Sequence, residues 1–322
     1  MKKGGQKARR MLLVMLLAAA LAGERVPALP QRCFVRAVLL DASDSGCQAA
    51  LLTQTPPAAA DSADARENAA LVRGSGRTPA EALAAASQKL TGTADYKLCN
   101  SVLAGGSRMR RALEEYRSLV EAEGCGRLSA RVFCGDTAAL LARGEALDAA
   151  GLLAALEAAG GEAPRLYSRD PWLLVPLAEC GASGCTAGAR ACLLGSRAEI
   201  YLSRAQTQTA YFLLRRKTEL TLTAGGESCR VHVFWAAEPC AGGLRLCADG
   251  FLCTAAQSGA LRGAAQQTLQ AELEQLLALA GLLGWDPCGA QAAETLAGQA
   301  APAEDAGASS AAAVRVQVRL WA

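Results

Sequence analysis

The stretch Gly74–Leu90, GSGRTPAEALAAASQKL, contains the clearest helix start in the chain. Thr78 is a favourable N-cap residue, Pro79 suits the first helical position, and Glu81 stands where a capping box places its acidic residue. The apolar residues that follow share one helical face: Leu83, Ala86 and Leu90. Because the segment Ala69–Arg73 directly before this stretch has a strand-like composition, the sequence predicts a strand, a glycine-containing turn and a helix.

Other elements of both types surround this unit in the first half of the chain. Apolar runs bounded by turn residues predict strands at Phe34–Leu40, Cys47–Thr53, Leu98–Leu103 and Leu128–Cys134. Helical periodicity predicts helices at Arg108–Glu123, Thr137–Arg143 and Leu147–Ala159. Thr55–Asn68 has a loop composition, and Ala163–Gly188 is expected to be an irregular connector.

The second half of the chain repeats this mixture. A short strand pair is expected within ACLLGSRAEIYL, and Ser203 with Gln206 forms a capping box that opens a helix ending near Leu214. Strands are predicted at Lys217–Thr223, Cys229–Trp235 and Leu244–Cys253, followed by a long helix at Ala264–Leu283. After an Ala/Gly/Ser-rich stretch, Gly298–Ala312, the last strand Val314–Leu320 alternates apolar and polar residues, which is typical of a sheet with one buried face.

These patterns together predict an α+β, multi-domain protein in which antiparallel and mixed sheets are packed with helices. We expect three segments: a signal peptide at residues 1–22, an N-terminal α+β domain at 23–188, and a C-terminal α+β domain at 189–322. The C-terminal domain would contain the long helix and the final strand.

The first residues have the order of charge and apolarity that is typical of an export signal. Five positive residues precede a short apolar segment, Met11–Ala22, and Ala20-Leu21-Ala22 supplies the small-x-small pattern that signal peptidases accept. The apolar segment is shorter than the ~20 residues that span a bilayer comfortably. Glu24 follows Leu21-Ala22-Gly23, where a lipoprotein would have a cysteine, and a carboxylate cannot accept a thioether-linked lipid. The sequence therefore favours export without lipidation at Glu24 over a buried N-terminal helix.

Composition argues against nucleic-acid binding. The chain carries a formal charge of +3, with 33 basic and 30 acidic residues. Five of the basic residues belong to the expected signal, namely Lys2, Lys3, Lys7, Arg9 and Arg10, so the remainder carries 28 basic against 30 acidic residues. A nucleic-acid-binding domain would instead have a clustered basic face.

Residues that bear reactive groups are numerous, but they form no recognised site. The 13 cysteines include the cluster Cys180, Cys185 and Cys192, which has no CxxC pair and no nearby histidine, so burial as thiols is favoured over zinc binding. Another set lies on predicted neighbouring strands where one disulfide can form: Cys229, Cys247 and Cys253. His232, the single histidine, would have to serve any Ser–His or Cys–His nucleophile, and a structural role on its strand is favoured.

Carboxylates and glycines add no catalytic or cofactor-binding motif. Two pairs are expected on solvated helix faces: Glu114 with Glu115, and Glu272 with Glu274. Gly74-Ser75-Gly76 begins like a dinucleotide fingerprint, but Pro79 occupies the third glycine position. The sequence thus predicts no enzyme, no cofactor, and no catalytic, cofactor-binding or metal-ligating residue.

Several stretches, taken in order, resemble the Ger(x)C family, the C subunit of bacterial spore germinant receptors. FVRAVLLD resembles the family's early strand that ends in an aspartate, here Asp41. Gly74–Ala82 matches Gly-x-Gly-x-Thr-x-x-Glu-Ala, and Ala198–Leu214 resembles a strand pair followed by Leu-Ser and a helix, with Leu202-Ser203 at the Leu-Ser position. Gln266–Asp286 and Val314–Leu320 resemble the family's long helix and alternating last strand. The chain departs from the family at Glu24 and in lacking the Trp-Asp that should follow it.

The resemblance implies a non-enzymatic subunit outside the cytoplasm, at the outer face of the spore inner membrane. Its implied partners are two integral membrane proteins, the A and B germinant receptor subunits, and the membrane surface. The chain would be either cut after Ala22 and held by these partners, or tethered by its uncut apolar segment. Two alternatives from other classes are a secreted thiol-dependent enzyme that uses a cysteine with His232, and an extracellular solute-binding protein. The second alternative would show two similar lobes with a repeated βα pattern, which the sequence lacks.

Overall fold

A computed structural model describes residues 32–54, 69–182, 184–196, 198–214, 217–240, 243–253, 259–288 and 313–321. The expectations for the signal peptide, Glu24, the Thr55–Asn68 loop and the Gly298–Ala312 stretch lie outside the described residues. The described strands and helices run in the order β1 (Arg32–Ser43), β2 (Gly46–Gln54), β3 (Ala69–Gly76), α1 (Pro79–Ser87), β4 (Thr93–Asp95), β5 (Ser101–Gly105), α2 (Met109–Glu123), β6 (Arg131–Gly135), α3 (Thr137–Arg143), α4 (Ala149–Ala158), β7 (Leu173–Gly181), β8 (Gly184–Leu194), β9 (Glu199–Tyr201), α5 (Arg204–Leu213), β10 (Glu219–Ala224), β11 (Glu227–Cys240), β12 (Gly243–Leu252), α6 (Gly259–Leu283) and β13 (Ala313–Trp321).

The first sheet is mixed and has helices on both faces. Its strand order is β3-β2-β1-β5-β6-β7-β8-β9, and the short β4 pairs with the start of β1. The central strands β1, β5, β6 and β7 are parallel, whereas the outer pairs are antiparallel. Helices α1 and α2 pack on one face, and α3 and α4 pack on the other. This arrangement explains the nearly continuous apolar run of β1, whose residues Val38, Leu39 and Leu40 are all fully buried.

The Gly74–Leu90 stretch forms the close contact between β3 and α1. A side chain at Gly74 would overlap the backbone of Ala82 and Ala86, and a Cβ at Gly76 would lie 2.7 Å from the amide nitrogen of Ala82. The Glu81 amide donates to Thr78 Oγ1 at 3.3 Å, and the Glu81 carboxylate accepts from the Arg77 amide at 2.7 Å. The predicted strand and helix are confirmed. The turn predicted at Gly74-Ser75-Gly76 is wrong, because these residues belong to β3, where the two glycines let the backbones of the strand and the helix approach each other.

The prediction that Ala163–Gly188 is an irregular connector is wrong for most of this segment. It contains β7 and the beginning of β8, which form an antiparallel hairpin. Pro176 lies inside β7, and a proline weakens the strand signal because it cannot donate a ladder hydrogen bond. The register of the hairpin shifts between Pro176 and Ala178, so the proline sits at an irregularity of the ladder. The domain boundary expected after Gly188 falls inside β8, and the first sheet ends at Tyr201.

The second sheet has the order β10-β11-β12-β13, in which the last two strands are parallel and the others are antiparallel. Helices α5 and α6 cover one face. The predicted capping box of α5 is confirmed, because the Gln206 amide donates to Ser203 Oγ at 3.2 Å and the Ser203 amide donates to Gln206 Oε1 at 2.9 Å. The same buried cluster includes Leu174, Ala191 and Leu193 of the first sheet, so the two sheets share a core.

An apolar stripe of the long helix α6 faces the second sheet. Leu269, Leu273 and Leu276 are fully buried, and Ala280 is nearly so. The helix begins at Gly259, earlier than its periodicity predicted. Among the described helices, none is both long enough and apolar enough to cross a membrane.

The expectation of a solvated Glu272 is wrong. This residue is half-buried between α6 and α5, where its Oε2 accepts a hydrogen bond from Thr209 Oγ1 at 3.2 Å. Burial raises the pKa of the Glu272 carboxyl, although the Thr209 hydrogen bond partly opposes the shift. The folded chain therefore favours the neutral carboxyl more than the unfolded chain does.

We expect Glu272→Gln to be more stable than the native chain at pH 8. A raised folded pKa means that ionisation of Glu272 opposes folding above the ordinary Glu range, and this penalty disappears once the pH falls below about 4. Urea unfolding of both chains at pH 8 and pH 4 should therefore show a difference in midpoint that closes at the lower pH. Glu274→Gln, on the exposed side of the same helix, is the control and should show no such change. A Glu272→Gln difference that does not depend on pH would contradict the burial of the charge.

Candidate functional site

His232 lies on the face of the second sheet that α5 and α6 leave uncovered. The strand register places it in a row with Glu219, Phe251 and Trp321. Its ring lies 4.7 Å from that of Phe234 and 5.3 Å from that of Phe251. In the described part of the chain, His232 Nδ1 is buried and has no hydrogen-bond partner. The immediate ring neighbours of this histidine are thus aromatic, and the structure pairs it with no described cysteine.

The disulfide of the structure joins a different pair of cysteines from the one that the sequence allowed. Cys229, Cys247 and Cys253 are free thiols, so the disulfide that their spacing allows is not formed. A disulfide instead joins Cys180 and Cys185, which are cross-strand partners at the end of the β7–β8 hairpin. The remaining member of that expected cluster, Cys192, is buried as predicted, and together with burial it raises the pKa of the Cys134 thiol. The described residues contain no group of three or more His, Cys, Asp or Glu that could hold a metal ion.

Several thiols have pKa values that disfavour a nucleophilic thiolate. Burial raises the pKa of Cys99 and Cys288 to about 12, and that of Cys47 and Cys125 to about 11. Desolvation and the nearby Glu238 carboxylate also raise the pKa of Cys247. A reactive cysteine requires the opposite shift, usually produced by a neighbouring cation or a helix N-terminus.

A cleft of about 750 Å³ lies at the carboxyl ends of β5 and β6, beside the β7–β8 hairpin. Parallel strands bring their carboxyl ends to one edge of a sheet, and ligands of open α/β sheets bind at such edges. Charged groups of both signs line this carboxyl-end cleft: Asp136, Arg143, Glu179, Arg190 and Glu199. Arg190 and Glu179 form an ion pair at 3.4 Å.

Two lining residues of the carboxyl-end cleft have shifted pKa values. Burial raises the pKa of the Glu199 carboxyl. Burial, followed by smaller effects of Cys192 and other acidic groups, raises the pKa of Tyr201 to about 12. Tyr201 therefore stays protonated and can donate a hydrogen bond into the cleft. The charged lining and the Tyr201 donor suit recognition of a polar group.

Asp41 connects β1 to the same edge of the sheet. Its Oδ1 accepts a hydrogen bond of 2.7 Å from Thr137 Oγ1 at the start of α3, and Thr137 is fully buried. Asp41 also pairs with Gly105 across the β1–β5 ladder, next to Gly106 in the lining of the cleft. Through this hydrogen bond, Asp41 connects β1 to the start of α3 beside the carboxyl-end cleft.

None of the residues that line the carboxyl-end cleft was predicted from the sequence to belong to a functional site. Glu179 lies in the segment expected to be irregular, and Glu199 and Tyr201 belong to a strand pair that showed no motif. The available signal was Gly105-Gly106 and Gly135-Asp136, two pairs whose first residue ends a buried strand. Such pairs commonly mark the carboxyl edge of a parallel sheet.

Comparison with known proteins gives one structural similarity. No family model matches the chain. No curated protein matches it. In structure, the chain is similar to the crystal structure of the GerBC protein, with a TM-score of 0.47 and 11% sequence identity, over 88% of this chain and 95% of that one.

Proposed function

We propose that this chain is a non-catalytic, extracytoplasmic subunit of a spore germinant receptor and is needed for germination in response to nutrients. The observation that carries the proposal is the ordered series of stretches that resemble the Ger(x)C family. These stretches extend from FVRAVLLD to the final alternating strand, so the series spans most of the chain.

The motif residues support the proposal because each of them either makes a contact between two elements of the fold or caps a helix. Gly74 and Gly76 allow β3 to approach α1, Asp41 binds Thr137, and Ser203 caps α5. Only a few residue types can make such contacts. Finding these residues in the order that the family has is therefore more specific evidence than amino-acid composition alone.

In this proposal the chain works by docking at the outer face of the spore inner membrane. The two integral A and B subunits hold it there, and it needs no cofactor. The carboxyl-end cleft, with its mixed charges, is suited to bind a polar segment of such a partner that extends out of the membrane. Glu24 prevents lipidation at its position, so the attachment depends on these partners or on the uncut apolar segment Met11–Ala22.

Affinity purification from spore membranes tests the proposal directly. We expect the tagged full chain to co-purify with two integral membrane proteins, and spores without the chain to lose nutrient-triggered germination while a non-nutrient trigger still works. Tagged chain carrying Arg143→Glu and Arg190→Glu in the carboxyl-end cleft should recover less of both partners. Membranes that yield the chain alone, together with a normal nutrient response of the deleted strain, would argue against a receptor subunit.

A further inference from the structure

A second cleft, at the opposite edge of the first sheet, is basic. It has a volume of about 730 Å³ and lies where β1 and β4 begin and α2 ends. Three cationic side chains line it, together with polar groups that can donate hydrogen bonds: Arg32, Lys97, Arg127, Thr93 and Tyr96. We call this site the basic cleft.

The positive charge of the basic cleft is only partly neutralised. Asp95 is the one carboxylate that lines it, and the Asp95 side chain is 12% exposed. Asp95 already accepts from the Lys97 amide at 3.0 Å and pairs with Arg32 at 3.5 Å. Arg127 donates to the neutral Asn100 amide oxygen at 2.8 Å. Within the described residues, no carboxylate forms an ion pair with Lys97 or Arg127, so both charges are available to an anion.

Two residues with exposed apolar side chains adjoin residues of the basic cleft. Leu98, next to Lys97, is 41% exposed. Tyr167 is 57% exposed, and its amide donates to the carbonyl oxygen of Leu128, the residue after Arg127. A free phosphate would need only the cations, whereas a bilayer surface offers phosphates together with an interface that favours amphipathic and apolar side chains.

The path of the chain brings the basic cleft close to the apolar N-terminal segment. Arg32 is both the first residue of β1 and part of the cleft. Only residues 23–31 separate it from Ala22, the end of the apolar segment. Even when fully extended, about ten residues span no more than roughly 35 Å. If the uncut apolar segment holds the chain at the membrane, this edge of the sheet therefore lies within reach of the lipid headgroups.

We propose that the basic cleft binds the phosphate of an anionic phospholipid, with Lys97 and Arg127 as its main cationic contacts. Leu98 and Tyr167 then enter the headgroup region beside it. The proposal rests on the proposed function, since it assigns the membrane-facing side of an extracytoplasmic subunit. It orients the chain with the amino ends of its central parallel strands toward the bilayer and with the carboxyl-end cleft away from it.

Flotation of the purified full chain with vesicles tests this assignment. The vesicles contain either phosphatidylcholine alone or phosphatidylcholine mixed with phosphatidylglycerol. The five cations that precede the apolar segment also favour phosphatidylglycerol, but they contribute equally to the native chain and to each variant. We expect phosphatidylglycerol to increase binding and high salt to remove the increase. The double variant Lys97→Glu, Arg127→Glu should weaken the phosphatidylglycerol-dependent part more than about 25-fold, since the loss of each cation at an anionic surface costs about fivefold and the two added carboxylates are repelled.

A matched control reverses two exposed arginines on the uncovered face of the second sheet, Arg230→Glu with Arg315→Glu. It changes the net charge equally and should keep the phosphatidylglycerol-dependent binding within about twofold, because charges beyond a Debye length are screened. The neutral pair Lys97→Gln, Arg127→Gln should show an intermediate loss, and circular dichroism of each variant checks its fold. Equal losses in the cleft and control variants, or binding that ignores phosphatidylglycerol, would overturn the proposal.

Two further outcomes separate the possible sources of the anion and the two proposals. Displacement of the chain by inorganic phosphate at matched ionic strength would show a free-anion site and overturn the lipid assignment. If vesicle binding does not depend on phosphatidylglycerol but the chain co-purifies with two integral membrane partners, only the lipid contact is refuted. A chain that prefers phosphatidylglycerol but recovers no partner would refute the receptor role and leave the basic cleft in place.

Discussion

Gly74→Val is expected to destabilise the chain by about 3 kcal/mol or more. Any side chain at this position meets the backbone of Ala82, Ala85 and Ala86 in α1, and backbone cannot move aside as a flexible side chain can. Relief would require α1 to move away from β3, which would open the core around Leu83 and Ala86, both of which are buried against the sheet. Chemical unfolding measured by circular dichroism should show a much lower midpoint than that of the native chain.

Gly263→Ala is the control for the Gly74 substitution. Gly263 lies inside α6, where a Cβ would meet no atom within 4 Å. Alanine should stabilise the helix there by about 0.5–1 kcal/mol, because glycine is the poorer helix former. If Gly74→Val lowers the free energy of unfolding and Gly263→Ala raises it, the effect at Gly74 comes from the contact with α1. A small loss at Gly74 would mean that β3 and α1 are farther apart than in the structure.

Local signals were enough to predict most helices of this chain. The starts of α1 and α5 carry side-chain caps, and α2 ends at Gly124, which has a left-handed conformation. The error at Glu272 shows the limit of this approach. Periodicity assigns a residue to a face of its own helix, whereas the burial of Glu272 depends on α5, which lies more than fifty residues earlier in the chain.

The strand order could not be predicted, because it depends on contacts between distant segments. The parallel pairing of β12 with β13 brings together residues on either side of α6, and β1 lies between β2 and β5. The two clefts depend on the same pairings. The basic cleft joins Arg32, Lys97 and Arg127 from three separate parts of the chain, and each is an ordinary surface residue in its own segment. The α+β class with mixed sheets, which needs only element types, was predicted correctly.

Leu273→Ala is expected to cost about 2–5 kcal/mol, the range for removing a buried leucine side chain. Leu273 is fully buried in the stripe of α6 that faces the second sheet, in the same cluster as Leu220 and Val231. Alanine is the best helix former, so a loss of stability cannot come from helix propensity and must come from lost packing. Guanidinium unfolding, monitored by circular dichroism and by tryptophan fluorescence, measures it. Trp285 belongs to this cluster and reports on it.

Leu282→Ala, two and a half turns later on the same helix, provides the matched comparison. Leu282 is 87% exposed, so the same change should alter stability by no more than about 0.5 kcal/mol. The contrast tests the rotation of α6 about its axis, because a rotated helix would exchange the costs at the two leucines. Since the cluster around Leu273 also contains Leu174 and Leu193 of the first sheet, we further expect both probes to report one transition. Two separate transitions would mean that the shared core does not couple the two sheets.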